Sequence, residues 1–371
     1  MVSEVFFSAL NRLSTMNPLQ KLERLLDQSK IESIIIKNDL VAIKSHFGEK
    51  GNTTFIGPLY FRTIVKKIKK VGGRPFLTDT NTLYLGSRGE AISHLQTAIE
   101  NGFVHSVVDA SVIIADGLRG NTMKEVEINQ KHFVKVNIGA EIYYADSIVS
   151  ISHFKCHELM GFGGTLKNLG MGCASRMGKL SMHSKVTPSI ISEKCIACGN
   201  CVKWCPANAI SISHKSAVID EKKCIGCGEC IASCLQASIK IEWNESMSNL
   251  QEKMVEYVYG TLNNKKGKAL FVNFLTQINP LCDCNAYSGT PIVDDIGILV
   301  SKDPVAIDQA SVDLVNQQEG RKNSALTSNY GSGEDKFRGV YPNIDWSVQI
   351  KYAEKIGLGT KKYKLIKLEG C

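Results

Sequence analysis

No stretch of the 371-residue chain approaches the roughly 18 consecutive apolar residues of a membrane-spanning helix, which excludes a span of that kind. The opening MVSEVFFSALNR has neither the basic stretch nor the long apolar run of a secretory signal, so a cytoplasmic protein is expected. Charge of one sign is also scarce. Forty-four Lys and Arg against 36 Asp and Glu leave a formal net charge of +8, modest for this length, and it selects no partner. The basic residues do not gather beside aromatic ones, so nothing motivates nucleic-acid binding, and the dense run KKIKK at 66–70 reads as the solvated face of a helix. A Walker A loop is missing, as is a G-x-G-x-x-G fingerprint after a strand, and no nucleotide is inferred.

What is present is the composition of an ordinary globular protein: 43% hydrophobic, 22% charged, mean hydropathy −0.06. At a prior of about 150 residues per domain, the length suggests two or three units. Thirteen cysteines are too many to ignore. Their odd number, the size of the chain and a reducing compartment all argue for metal ligation over a disulfide framework.

Eight of them fall between Cys195 and Cys234, in the two segments CIACGNCVKWCPANAI from 195 and CIGCGECIASCLQASI from 224. The copies are offset by 29 residues and agree at seven of sixteen places, the four cysteines among them. Each reads C-x2-C-x2-C-x3-C, the spacing in which three thiolates grip one iron–sulfur cube and the fourth ligates the other. Two [4Fe–4S] clusters are therefore expected, one on Cys195, Cys198, Cys201 and Cys234, the other on Cys224, Cys227, Cys230 and Cys205. Zinc sites pair two C-x2-C knuckles instead. Between the copies, AISISHKSAVID reads as a hairpin turning at His214, Lys215 and Ser216. Bacterial-type two-cluster ferredoxins look like this, although Leu235 stands where the first copy has Pro206. Two cubes with crossed ligands lie close together, which suits passing electrons along a line more than stapling a fold.

The flanks alternate strand-like and helical runs. Upstream come SIIIK, VAIKSHF, the helix PLYFRTIVKKIKK, PFLTD, the helix SRGEAISHLQTAIENGF and SVIIADG; downstream come the helix SMSNLQEKMVEYVYGTL, KALFVNFLTQI, IGILVSK, the helix PVAIDQASVDLVNQQ capped by Asp303, and a terminal KLIKL. This rhythm predicts a discontinuous α/β domain on a mixed or largely parallel sheet, formed by 1–188 and 245–371 and interrupted at 189–244 by a small α+β ferredoxin-like two-cluster module. Ligands of such sheets bind just past the strand ends, where Thr78-Asp79-Thr80-Asn81 and Asp116-Gly117 fall, although capping of the following helices explains both runs as well.

Immediately before the module lies SHFKCHELMGFGGTLKNLGMGCASRMGKLSMHS. Gly161, Gly163 and Gly164 would open a helix whose free amides, with Lys167, could hold an anion or substrate; close packing of the helix is the alternative. His153 and His157 would share a face if 153–157 were helical, and Cys156, Cys173, Cys282 and Cys284 could complete a further metal site with them. Otherwise these are free thiols, with Asp283, Asp294 and Asp295 as acid/base groups. His153, His157, Lys167, Asn168, Cys282 and Cys284 are the catalytic candidates.

With SHFKCHELMGFGGTLKNLGMGCASR, NPLCDC, SKDPVAID, FLTDTNTLYLGSR, IIADGL and both cysteine copies, the chain resembles the iron–sulfur-binding branch of the domain of unknown function 362 family over nearly its full length. The resemblance implies a parent domain carrying an inserted two-cluster ferredoxin, found largely in anaerobes, with no settled substrate. His153, Lys155, His157, Glu158, Lys167, Asn168, Cys282 and Cys284 match that pattern. Cys156 replaces its usual Gly. The run from His157 to Lys167 is also similar to racemases that carry a nickel-pincer cofactor on a lysine, here Lys167. Three functions follow as expectations. The first is a redox enzyme taking electrons from a low-potential donor protein, through the clusters, to an unknown small molecule or an organic cofactor at 153–173 and Cys282/Cys284. The second is an electron relay docking a partner enzyme. The third is a non-redox enzyme acting on a small acid with structural clusters.

Overall fold

The computed structural model of the protein describes residues 2–10, 14–84, 86–184 and 187–368; Leu85, within the FLTDTNTLYLGSR run, and the terminal Cys371 lie outside the described residues. Eight strands form one sheet: β1 (Ser3–Ala9), β2 (Leu40–Lys44), β3 (Arg74–Asp79), β4 (Ser111–Ile114), β5 (Ser147–His153), β6 (Ala269–Leu275), β7 (Gly297–Ser301) and β8 (Tyr363–Lys367). Their order across the sheet is β8-β1-β7-β6-β5-β2-β3-β4. β7 runs antiparallel to both neighbours, and every other adjacent pair is parallel. The fold is thus α/β on a mostly parallel mixed sheet, with strands from both sides of the cysteine-rich segment lying side by side at β5 and β6.

Covered on both faces, the central strands are buried along their length rather than at alternate positions, the polar Ser147, Ser150 and Ser152 of β5 included. β5 and β7 are buried at every position. One face packs on the helices Pro18–Gln28 and Pro58–Lys70, around Leu22, Leu25, Phe61, Ile64 and Ile68. The other packs on Thr165–Cys173, Met247–Leu262, Pro304–Asn316 and Ser347–Lys355, around Leu166, Met254, Val258, Ile307 and Ile350. Pro58–Lys70 carries the KKIKK run, with Lys69 paired to Asp109 at the surface. Asp303 caps Pro304–Asn316, accepting from the amides of Val305 and Ala306.

Periodicity misleads at SIIIK. Its start is a 3-10 turn, Ile31–Ile34, entered through the left-handed Lys30, and Ile36 is exposed. Ile31 and Ile34, three apart, stack on the same side of that turn and bury together, which a strand would not allow. Strand β1, the helix Pro18–Gln28 with its Asn17–Gln20 capping box, the hairpin Met123–Glu127/Lys135–Gly139 and the helix Ser347–Lys355 are additional elements.

Between 189 and 241 lies a small two-layer unit in which Ser189–Ile190 pairs with Ile239–Lys240 and Ile210–Ser213 with Ser216–Ile219. His214 and Lys215 are both left-handed, as a two-residue primed hairpin turn requires. The internal duplication is conformational as well as sequential. Ala197 and Gly226, Gly199 and Gly228, and Asn208 and Ala237 are left-handed pairs, each 29 residues apart. Among the described residues no helix is long and apolar enough to cross a membrane.

Candidate active-site pocket and cysteine cavities

The parallel strands bring their carboxyl ends to one edge, and chain order reverses between β2, which leads on to β3 and β4, and β5, which leads on to β6. Side chains at such a crevice face a ligand without blocking the sheet's hydrogen bonds. A pocket of about 400 Å³ opens there. Lys44 ends β2, Asp79 ends β3 and His153 ends β5, and all three line it.

His153, Lys155 and His157 are not on a helix. They run from β5 into the short hairpin Lys155–His157/Gly161–Gly163. Extended backbone alternates faces, so all three enter the pocket while Cys156, between them, turns into the core. Burial pushes the Cys156 thiol up, and Cys173, equally buried, is pushed up to about 12. His153 is fully engaged. Its Nδ1 lies 2.9 Å from Asp283 Oδ2, and its Nε2 lies 2.8 Å from the Thr276 carbonyl oxygen. Lys155 Nζ donates to the same Asp283 oxygen at 2.7 Å. Although burial alone would raise it, Asp283 is held far below the usual carboxylate range by His153 and Lys155. Asp283 is thus an anchor rather than an acid/base group. Asp294 pairs with Arg321 and Asp295 accepts from the Gln277 amide; neither lines the pocket.

The helix Thr165–Cys173 does open after the glycines, but its first amides are taken. Asp308, from Pro304–Asn316, accepts from the Thr165 and Leu166 N–H groups at 2.8 Å each. A Cβ on Gly164 would collide with Asp308 Oδ1, and one on Gly161, which is left-handed, would meet Trp346 Cβ at 2.5 Å. Close packing therefore accounts for these two glycines, and the anion at this helix terminus is the protein's own. Gly163 and Gly164 still border the pocket. Asn168 sits at the crevice itself, receiving Lys44 Nζ at 2.7 Å and donating to Ser150 Oγ at 2.9 Å and to the Ile151 carbonyl at 3.1 Å. It positions Lys44, which also pairs with Asp79 at 3.0 Å.

Lys167 has no carboxylate at ion-pair distance among the described residues; its Nζ points to Cys282 Sγ at 3.6 Å. Cys282 and Cys284 both line the pocket, two residues apart on one loop. The adjoining Cys284 thiol, and the Lys167 ammonium against the cost of burial, hold the Cys282 thiol well below its ordinary pKa. Burial opposes the Lys167 charge, yet the two thiols outweigh it and raise its pKa.

Other groups complete the pocket, among them Asp79, Lys179 and His183 from runs already marked in the sequence, and His46, which had no local signal. His46, two residues past Lys44, is pushed down to about 3 by burial and by Arg88. Arg88 donates to Glu49 at 3.1 Å. Lys179, pushed down to about 8 by burial, donates to the carbonyls of Asn81 and Ala174 and to Thr80 Oγ1. His183 stacks edge-on against Trp243, centroids 4.6 Å apart. In the Thr78–Asn81 run, Asp79 and Thr80 face the pocket, while Asp116 is buried behind it, accepting from Asn81 Nδ2 at 2.8 Å. Neither run caps the helix that follows; Glu90 does that for Ala91–Glu100. Their spacing in the chain, 44 to 183, hides that these groups meet.

The eight clustered cysteines divide between two smaller cavities. One is lined by Cys195, Cys198, Cys201 and Cys234, the other by Cys205, Cys224, Cys227 and Cys230. Backbone amides point at the sulfurs: Ala217 N–H to Cys195 at 3.3 Å, Ala209 to Cys205 at 3.2 Å, Ser238 to Cys234 at 3.3 Å. Such donors stabilise thiolate charge, and those of Ala217 and Ala197 lower the Cys195 pKa. Among the described residues no three His, Cys, Asp or Glu side chains converge as a single metal ion demands, and His153, His157, Cys282 and Cys284 form no such set. Four thiols spread round a cavity fit a cube of several irons instead.

This unit docks on the α/β domain next to the pocket. Leu83 lines the pocket and belongs to the unit's apolar cluster with Leu180, Cys230 and Ile231. A Cβ on Gly228 would lie 3.0 Å from Arg176 Cγ and 3.4 Å from Leu83 Cδ1. Arg119 stacks 3.6 Å over Trp204, and Asn121 Nδ2 donates to Glu229 at 2.5 Å. Cys198, in the other set, is exposed, as is its neighbour Ile196.

Fold and site together define a layered α/β protein with a polar crevice at the strand ends and an adjoining unit of paired cysteine cavities. The family described as Domain of unknown function (DUF362) matches residues 41–313, and the chain belongs to that family. Among solved structures it is similar to the lactate racemase apoprotein from Thermoanaerobacterium thermosaccharolyticum, at 15% identity and TM-score 0.36 over 74% of this chain and 51% of that one. It is also similar to a protein from Thermotoga maritima, at 10% identity and TM-score 0.42 over 93% of this chain and 61% of that one. The chain thus spans between half and two thirds of the length of these two structures. No curated protein matches it.

Proposed function

We propose that this protein is an iron–sulfur electron-transfer protein, holding one [4Fe–4S] cluster on Cys195, Cys198, Cys201 and Cys234 and a second on Cys205, Cys224, Cys227 and Cys230, and serving a redox reaction in the adjoining pocket. The observation that carries this is the division of eight cysteines into two cavities, each taking three from one copy of the repeat and one from the other. When bound, each such cluster takes up and releases one electron at a potential set by its surroundings.

The chain's own residues supply the path's two ends. Cys198 and Ile196 expose the first set to an external low-potential carrier protein. The second set is packed through Gly228 onto Leu83, whose other side is the pocket wall. Lys167, His157, Cys282 and Cys284 face the pocket; of the five cationic side chains that line it, Lys44, Arg88 and Lys155 are paired with Asp79, Glu49 and Asp283, while Lys167 and Lys179 have no carboxylate at ion-pair distance among the described residues, which favours a small anionic reactant.

The test is metal and acid-labile sulfide analysis of protein purified without oxygen. About eight iron and eight sulfide per chain are expected, bleached by dithionite, with both lost in a Cys198→Ser/Cys227→Ser variant. Full iron retained in that variant overturns the ligand assignment.

A further inference from the structure

We propose that Cys282 and Cys284 form a two-electron dithiol–disulfide centre, reduced from the iron–sulfur side of the molecule and discharged onto a small anionic disulfide bound in the pocket. The proposal rests on the reading of the cysteine cavities as cluster sites for its source of electrons, but not for the chemistry of the pair.

Three observations place the centre here. First, the Asn285 amide donates to the Cys282 carbonyl at 2.9 Å, closing a turn over 282–285. A turn of this kind brings the first and third α-carbons within the span that a disulfide bridges. Second, the residue between the thiols is anchored: Asp283 is buried and held by His153 and Lys155, so the loop presents both sulfurs to the cavity while its backbone stays fixed. Third, the charge beside Cys282 Sγ is Lys167 Nζ, a cation with no carboxylate at ion-pair distance among the described residues. A thiolate, the attacking form in thiol–disulfide exchange, is the charge that satisfies it.

The electron count closes. Two electrons from a low-potential one-electron carrier, with one proton, convert the Cys282–Cys284 disulfide into a Cys282 thiolate beside Lys167 and a Cys284 thiol. The Cys282 sulfur then attacks one sulfur of the bound disulfide, forming a mixed disulfide and expelling the first product thiolate. Cys284, losing its proton, attacks Cys282 in turn, expelling the second thiolate and restoring the internal disulfide. Two clusters of one electron each match a two-electron centre. Lys179, a pocket cation with no carboxylate at ion-pair distance among the described residues, selects an anionic disulfide over a cationic one.

The test uses the full chain, purified without oxygen and first analysed for iron. Samples poised oxidising or reducing with viologen are quenched with N-ethylmaleimide, and the peptide carrying Cys282 and Cys284 is weighed. The expected result is an unlabelled peptide, two hydrogens light, in the oxidised sample and a doubly labelled one in the reduced sample. A reductive titration should take about four electron equivalents per chain, against about two in Cys282→Ser and in Cys284→Ser. Reduced protein should then discharge onto the anionic bis(2-sulfonatoethyl) disulfide roughly tenfold faster than onto the cationic cystamine, two dialkyl disulfides with similar leaving thiols, with the difference shrinking as salt is added.

Full iron with both thiols labelled in the oxidised sample, or with equal titrations in wild type and variants, overturns the dithiol centre and leaves the cluster reading intact. A chain without iron overturns the cluster reading and, with it, the source of electrons. Equal rates with the two probes overturn the substrate class.

Discussion

At the scale of single residues, the pocket is built from charges whose partners are chosen by burial. Asp283 is the clearest case, a carboxylate with no exposure that holds both His153 and Lys155. Removing one partner of a buried ion pair strands the other, which typically costs about 3–5 kcal/mol. Asp283→Asn should therefore lower stability by roughly that amount in thermal or denaturant unfolding. The sign of its pH dependence follows from the shift. Its folded-state pKa lies below the unfolded value near 3.9, so the stabilisation is complete above about pH 4 and is lost as pH falls further. The Asn variant should show a shallower acid limb. Lys167 acts on a neighbour instead. With Lys167→Met, the Cys282 thiol should move up toward its ordinary pKa, so that the midpoint of its alkylation pH–rate profile shifts to higher pH and, at any pH below both midpoints, the rate falls by roughly tenfold per unit of that shift.

At the scale of elements, the repeat shows how a conformation can be shared while its surroundings differ. Gly199 and Gly228 occupy equivalent left-handed positions, at φ 77° and 73°. A Cβ on Gly199 would meet nothing within 4 Å, whereas one on Gly228 would crowd Arg176 and Leu83. Gly199→Ala should therefore cost about 1–2 kcal/mol, the backbone penalty alone, and Gly228→Ala measurably more, with the difference read by parallel denaturant titrations. Helices with strong caps and clean amphipathic spacing were legible in the chain: Pro58–Lys70 and Pro304–Asn316 stand where their proline starts and apolar periods put them. The histidine pair was not. His153 and His157, four apart, suit a helix as well as a strand, and only the pairing of Lys155–His157 with Gly161–Gly163 selects the extended form.

At the scale of the whole molecule, the cysteine unit and the α/β domain share a wall. Leu83 is 3% exposed and packs among the unit's apolar residues while lining the pocket. Leu83→Ala should cost about 2–4 kcal/mol by leaving a cavity at that junction. The variant should lose the unit first, seen as faster proteolytic cleavage within 189–244 at temperatures where the α/β sheet still melts cooperatively.

Taken alone, the order of residues determined the fold class, the helices with strong end signals, and a cysteine spacing whose chemistry is local. It also marked 153–173 and Cys282–Cys284 as dense in polar groups, because those signals lie within a few residues of one another. It did not reveal that Lys44, His46, Asp79, Arg88 and Lys179 join them. These come from the ends of different strands, from loops and, for Lys179, from a helix, and only parallel pairing brings the carboxyl ends of β2, β3 and β5 to one edge. Nor could it assign the anion at the glycine-opened helix, since Asp308 stands more than 140 residues away and reaches Thr165 and Leu166 only after both helices pack on the same face of the sheet. Tertiary structure decided those matters because hydrogen bonds and charge pairs between distant segments depend on distance in space, and nothing in local composition encodes that distance.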